Sequence, residues 1–424
     1  MILRVFGGAF ARACALGMLL GGFGMSLSST AEESTVARTN GPTALRIGLL
    51  LDMSSGSAEV YKDRQQAFEL AIKHVNEGGG VFGLPVAIAV GDSKADPETA
   101  VAAARSLVEI DGVHAIVGPN ASVNALPVAE RVIGPAAIPT ISFSATSPAL
   151  TTVADNGFLF RTALSDVSQG PVLARLVREL GFDNVGLLHV DDPWGRGLAA
   201  AFEAAWDGPL RAVPVDRDQT GFLAALHESA SGRAQALVVV AFEAAALAMV
   251  RESIDNGVYD NFVFGSAAKR ASLVRFLGGD RLGNMYGTGP ASAPESAASA
   301  AWEAAHAAEY GALPVLAYVK ETYDATIALA LALAAQAAGR LDGAAIRDQL
   351  HAVGSSPGVV VIAGPKGVAD GLRILAEGGE IDYEGASGSM DWDESGDLLR
   401  GHVGIWRFTE DEGVEEVRAV AFEN

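Results

Sequence analysis

Cysteine is almost missing from this chain: its 424 residues hold one, Cys14, and that one lies in the first 31 residues. If that segment is removed, no thiol remains, which excludes disulfides, a cysteine nucleophile and any thiolate metal site. Positive charge is scarce as well. Thirty Lys and Arg face 51 Asp and Glu, for a formal charge of −21. A chain this acidic offers neither the basic footprint that nucleic acid requires nor an attraction to an anionic membrane surface. Charged residues make up only 19% while 50% are hydrophobic, a balance that sustains a packed core and excludes wholesale disorder. After the N-terminal segment, the most apolar stretch is Ala325–Ala335 (ATIALALALAA), well short of the ~20 residues that span a bilayer. The seven His form no H-E-x-x-H pair, and no G-x-x-x-x-G-K-[ST] phosphate loop is present.

The N-terminus reads as a leader. Arg4 and Arg12 carry positive charge, Ala13–Leu27 carries none, and Ser29-Thr30-Ala31 places small residues before the acidic Glu32-Glu33. That is the three-part form of a secretory signal. Residues 1–31 are therefore expected to be removed on export to the periplasm, with 32–43 a flexible polar lead-in and no membrane insertion after processing. Loss of Arg4 and Arg12 leaves the remainder more acidic still.

From Leu45 onward, short apolar runs alternate with helical periodicity. LRIGLLL, LPVAIAV, VHAIVG and IPTIS read as strands, then NVGLLHV, ALVVVA and NFVFG form a second series. Between the first two, Ala67, Phe68, Ala71, Ile72 and Val75 recur at helical spacing, with Arg64, Glu69, Lys73 and His74 assigned to the other faces. Asp96-Pro97-Glu98 opens the next helix with a cap, an N1 proline and a first-turn acid. Residues 294–353 are Ala-rich and helical, and GSMDWDESGDLLRGHVGIWRF reads as two strands around an Asp/Ser/Gly turn. Strands alternating with helices imply parallel sheets with right-handed crossovers, and two series imply two lobes.

Ligands of such sheets sit beyond the carboxyl ends of the strands. In the first series those loops carry Ser54, Ser55, Ser57 and Tyr61, then Asn120–Ser122, then Ser142, Ser144, Thr146 and Ser147; in the second, Asp191, Asp192 and Trp194, then Phe242 and Glu243, then Ser266. Hydroxyls on one side and aromatics and acids on the other suit a small polar ligand held between lobes. Two weaker signals compete. Ser266-Ala-Ala-Lys269 fits the S-x-x-K of serine acyl-enzymes but lacks a K-T-G. Asp391-x-Asp393-x-Ser395-Gly396 resembles the start of a calcium loop, yet position twelve is His402. Neither supports catalysis or a resident metal, and no cofactor is expected.

These loops carry a resemblance. IGLLLDMSSGSAEVY, LAIKHVNEGGGVFG, DPETAVAAARSLV, AIVGPNASVNALPVAE, ISFSATSPALT, FRTALSDVSQG, HVDDPWGRG, VKETYDAT and GSMDWDESGD, in that order, resemble the type I periplasmic solute-binding proteins of ABC importers, in the leucine/isoleucine/valine-binding branch. The resemblance implies an α/β fold of two Rossmann-like lobes with central, mainly parallel sheets joined by a three-strand hinge. It implies an N-terminal lobe of 44–165 plus 291–390 and a C-terminal lobe of 166–290 plus 391–424. It also implies a binding protein rather than an enzyme, with a carboxylate-bearing ligand, in the first place an amino acid, and a membrane ABC permease as partner. Ser122, Ser144 and Thr146 match the positions that grip the ligand carboxylate. Tyr61, Trp194 and Phe242 match aromatics that shield the side chain, and Asp166 an acid near the ligand amine. One position departs: Ala267 stands where the family places an acid for the α-ammonium. Either Glu243, Asp191 or Asp192 replaces it, or the ligand is an organic or aromatic acid without an amine. A ligand-sensing regulatory subunit of the same fold is the other reading. No arginine cluster is legible at these loops, so hydroxyls and helix amides are expected to supply the attraction for the anion.

Overall fold

The computed structural model describes residues 45–54, 58–314, 316–336, 341–355 and 357–423. The expected leader (1–31), the lead-in (32–43), Ser55 and Ser57 lie outside the described residues. Five parallel strands form the first sheet: β1 (Arg46–Leu51), β2 (Ala87–Asp92), β3 (Ala115–Val117), β4 (Thr140–Ser142) and β5 (Leu159–Arg161), in the order β2-β1-β3-β4-β5. The second sheet holds β6 (Val185–Val190), β7 (Leu210–Val215), β8 (Ala236–Val240), β9 (Phe262–Phe264) and β10 (Tyr286–Ala291). A parallel pair, β11 (Val359–Ile362) and β12 (Ile381–Glu384), stands apart, and β13 (Arg400–Phe408) and β14 (Val414–Glu423) return antiparallel beside β10. The order β14-β13-β10-β9-β8-β6-β7 therefore repeats, over its parallel part, the arrangement of the first sheet.

Each sheet has its own core. One cluster packs Ile47 and Leu49 of β1 against Phe68 and Ala71 of the helix Ala58–Glu77 and against the helix Val319–Ala334. A second cluster covers the opposite face of that sheet with Val101, Ala104, Val128 and Ile133. The third belongs to the second sheet and runs from Val172 to Leu282, then Val403–Phe408. Trp392 and Leu398 form an isolated bridge inside the first cluster, so the chain regains the second sheet at β13 rather than at the two-stranded turn expected from residues 388–408.

Local signals explain the helix starts. The Asp96 side chain accepts from Thr99 N–H at 2.8 Å and Asp192 accepts from Gly195 N–H at 2.8 Å, each satisfying a donor that the first turn leaves open. Two assignments need correction. Arg64 and His74, placed on outer helix faces by periodicity, are 7% and 4% exposed. The helix Ala58–Glu77 is covered on a second side by Val319–Ala334, where His74 Nδ1 lies 2.7 Å from the Tyr323 hydroxyl. Burial draws the His74 pKa down to about 4, so its ring is neutral at physiological pH.

A buried ion pair ties distant segments together. Arg161, at the end of β5, donates from Nε to Asp397 at 2.6 Å, from Nη1 to the Ser147 carbonyl at 2.9 Å and from Nη2 to the Thr151 hydroxyl at 3.0 Å. Asp397 also accepts from Thr151 at 2.7 Å, and Trp392 Nε1 donates to the Arg161 carbonyl at 2.7 Å. Removing one partner leaves a charge buried without compensation. Arg161→Met is expected to lower the unfolding free energy by about 3–5 kcal/mol in urea titrations; a loss below about 1 kcal/mol, the range of exposed pairs, would show the network to be dispensable.

Candidate ligand site between the two sheets

In both sheets the strand order reverses beside the first strand of the series, between β1 and β3 and between β6 and β8. Loops leaving adjacent strands there turn to opposite faces and open a crevice. The loops from both crevices line one cavity of about 580 Å³, a size that accommodates a small organic ligand.

Asp52, Arg64, Asn120, Ala121, Ser122 and Ser144 come from the first sheet's side, with Tyr318 at the start of Val319–Ala334. These loops are pinned to one another. Asp52 N–H donates to Asn120 Oδ1 at 3.0 Å, the Ser144 hydroxyl donates to the Asn120 carbonyl at 2.7 Å, and Ser122 Oγ accepts from Ser147 N–H at 3.2 Å. The Ser122 hydroxyl proton thus remains available to a ligand oxygen. Opposite them stand Trp194, Arg217, Phe242, Glu243, Ala267, Lys269, Arg270 and Phe276. Trp194 and Phe242 face each other at 4.8 Å between ring centroids, and the Arg217 guanidinium lies 5.2 Å from the Phe242 ring. Tyr318 adopts a left-handed backbone (φ 67°) and its hydroxyl meets that of Ser266, joining the two sides. Burial raises its pKa beyond the ordinary phenol range.

Of the residues singled out in the sequence, Ser122, Ser144, Trp194, Phe242 and Glu243 line this cavity. Tyr61 does not; it packs against the first hydrophobic cluster, and Arg64, one turn later, reaches the cavity instead. Thr146 and Asp166 are also outside the lining. The Thr146 hydroxyl donates to Asp166 Oδ2 at 2.9 Å, and Asp166 N–H donates to the Thr146 carbonyl at 2.9 Å, so the pair braces the crossover. Burial holds the Asp166 carboxyl well above the usual carboxylate range, against the pull of Thr146 and Arg161. Asp192 is occupied as a helix cap and Asp191 pairs with Arg196 at 3.3 Å; neither lines the cavity, whereas Ala267 does.

The expectation of a site without arginine is overturned. Arg64, Arg217 and Arg270, with Lys269, all line the cavity. They come from the helix Ala58–Glu77, the loop after β7 and the loop after β9, so beyond the short pair Lys269-Arg270 no run of basic residues announces them. Burial draws the Arg64 pKa down to about 10, assisted by the charge on Arg270, and the guanidinium stays protonated at neutral pH. The serine–lysine pattern is not a pair here: Lys269 bonds to Glu416.

Glu321, behind Tyr318, is 7% exposed, and burial pushes its carboxyl up to about 7 from an ordinary 4.5. The folded protein therefore keeps a proton that the unfolded chain releases, which adds stability below pH 4.5 and loses it as pH rises through 7. At about 1.4 kcal/mol per pH unit of difference, that contribution is about 3 kcal/mol. Glu321→Gln should gain about 3 kcal/mol relative to the parent between pH 4 and pH 8 in paired urea titrations; parallel stability curves would contradict the assignment.

Comparison with known proteins agrees with this geometry. The profile of the periplasmic binding protein family matches residues 44–370. The substrate-binding protein BasB of a chemotactic signal transduction system in Halobacterium salinarum is 26% identical over 378 residues, 87% of this chain and 88% of its own. Among solved structures, the branched-chain amino acid transporter substrate-binding protein LivJ from Streptococcus pneumoniae, in complex with isoleucine, superposes with a TM-score of 0.72 at 22% identity. That match covers 90% of this chain and 100% of LivJ. A solute-binding protein of an ABC transporter from R. palustris, in complex with 4-hydroxybenzoate, reaches 0.73 at 16% identity, over 90% and 98% of the two chains. Two α/β lobes, a cavity between their switch points and a profile match over most of the chain lead to one conclusion: the chain belongs to the periplasmic binding protein family, type I.

Proposed function

We propose that this protein is an extracytoplasmic solute-binding protein that captures a small carboxylate-bearing ligand with an apolar body and delivers it to an ABC permease. The observation that carries the reading is a single cavity with the Ser122 hydroxyl and the Arg64 guanidinium on one wall and a Trp194–Phe242 aromatic pair, flanked by Arg217 and Arg270, on the other. Ser122 and Arg64 serve the carboxylate, while Ser144 holds the Asn120 loop in place; hydrogen bonds to a charged group are the strong ones in such a site. Trp194, Phe242 and Phe276 cover the apolar body. The lobe bearing the second sheet hinges over a ligand first held by the other lobe, and closure excludes water and strengthens the polar contacts. The leader expected at the N-terminus would deliver the chain to the periplasm. Structural neighbours in complex with isoleucine and with 4-hydroxybenzoate support amino acids and aromatic acids as the ligand classes to try first.

The kinship with a chemotaxis substrate-binding protein favours a second reading, in which the loaded form is read by a sensor rather than a permease. Both readings share the site and differ in the membrane partner that pulls down with the loaded protein.

A thermal-shift screen against amino acids, aromatic acids and short dicarboxylates tests the shared part. A true ligand at a hundred times its Kd stabilises the folded form by about 2.7 kcal/mol, a shift of several degrees. Ser122→Ala should then weaken binding by roughly tenfold to a hundredfold, as for loss of a hydrogen bond to a charged group. Trp194→Ala should weaken it at least as much. Unchanged affinity in both variants would show that the ligand lies elsewhere.

A further inference from the structure

Two arginines approach the cavity from opposite sides, and neither is fully used. Arg64 projects from the helix Ala58–Glu77 beside the first sheet, and Arg270 follows β9 of the second. The Arg64 side chain belongs to a residue only 7% exposed, and the Arg270 side chain is 16% exposed. Arg64 Nε and Arg270 Nη1 are buried and have no hydrogen-bond partner among the described residues. A buried guanidinium N–H left unpaired costs free energy that an anion placed against it would recover.

The acids near these arginines leave those two N–H groups without a hydrogen bond. Glu243 accepts a hydrogen bond from Ser272 and stands 3.9 Å from Arg270 Nε, on a different nitrogen from the one left open. Asp63 bears on Arg270 through its charge while Nη1 stays without a hydrogen bond. Glu321 and Asp52 bear on Arg64 through their charge while Nε stays without a hydrogen bond, and Asp218 is exposed. The loop that carries Ala267 continues into Lys269 and Arg270, so an ammonium group there would stand beside cations, with Glu243 already engaged by Ser272 and Arg270.

We infer that Arg64 and Arg270 form a guanidinium clamp between the lobes, and that the ligand is an acid without an ammonium group whose carboxylate lies between them. This rests on the proposed capture of a carboxylate and adds which kind of acid is taken. A carboxylate has about four lone-pair positions, enough for one N–H from each arginine and a hydroxyl from Ser122. Without the anion, the charge of Arg270 bears on Arg64, and one buried N–H of each stays without a hydrogen bond. With it, both guanidinium groups share one acceptor that spans the lobes, so the anion itself holds the closed form together.

The test uses the purified full chain and two matched pairs of probes: isocaproate against L-leucine, and phenylacetate against L-phenylalanine. The members of each pair share an apolar body and a carboxylate, and only the amino acid carries an ammonium group. Calorimetric titration is expected to show the amine-free member of at least one pair binding tenfold or more tighter than its amino acid. Arg270→Gln and Arg64→Gln should each weaken that binding at least tenfold, and Arg270→Lys, which keeps the charge but not the fork, should fall between. Melting curves of the unliganded variants separate misfolding from lost recognition, and Arg270, the less buried, decides if Arg64→Gln does not fold. Tighter binding of an amino acid, weakened by Ser122→Ala but not by either arginine variant, overturns the clamp and leaves the carboxylate reading standing. Failure of all four probes together with the wider acid screen overturns both.

Discussion

Parallel strand pairing constrains this protein more than any other interaction. Every strand of such a sheet points its carboxyl end to the same edge, so every crossover begins there. In each sheet the order reverses beside the first strand of its series, and the helices on either side must part. The crevice is thus a consequence of hydrogen-bond topology rather than of any one side chain. Two sheets built on the same order provide two crevices, and the cavity lies where residues from both meet. Apolar side chains such as Leu49, Phe68, Leu188 and Val239 hold the sheets, which frees the loops to carry polar chemistry.

Loops at such an edge keep a fixed geometry only if their polar groups are satisfied. Here Asn120 receives hydrogen bonds from the loops after β1 and β4, and Arg161 fastens Ser147 and Thr151 to Asp397. The hydroxyls of Ser122 and Ser144 therefore stand at defined positions before any ligand arrives, which reduces the ordering cost of binding. Thr146 and Asp166 belong to this bracing rather than to the cavity wall. The overall acidity of the chain and its attraction for an anion are reconciled locally, since three arginines and a lysine line the cavity against three acids, Asp52, Asp218 and Glu243.

Much of this is legible in the sequence. Apolar runs such as LRIGLLL and ALVVVA mark strands because both faces of a central parallel strand are buried, and Asp96-Pro97 and Asp192-Pro193 mark helix starts because the caps satisfy open amides. β5 is not legible because its three residues, LFR, carry no period, and β7 because Pro214 reads as a breaker although this edge strand tolerates it. At the site, Ser122, Trp194, Phe242 and Glu243 sit directly at strand ends, where position alone predicts them. Arg64 and Arg270 do not. Arg64 lies inside a helix whose second buried face is created by the distant helix Val319–Ala334, and the family resemblance points to Tyr61 in its place. No local pattern reports such a contact, because burial there is decided by tertiary packing.

One cavity, shared by both sheets, is proposed to hold a carboxylate-bearing molecule. A crystal structure of the protein with the acid that gives the largest thermal shift tests it most directly. The carboxylate is expected within hydrogen-bond distance of Ser122 and a guanidinium, with the apolar body of the ligand against Trp194 and Phe242. A ligand bound outside this cavity, or touching the residues of only one sheet in a closed form, would contradict it.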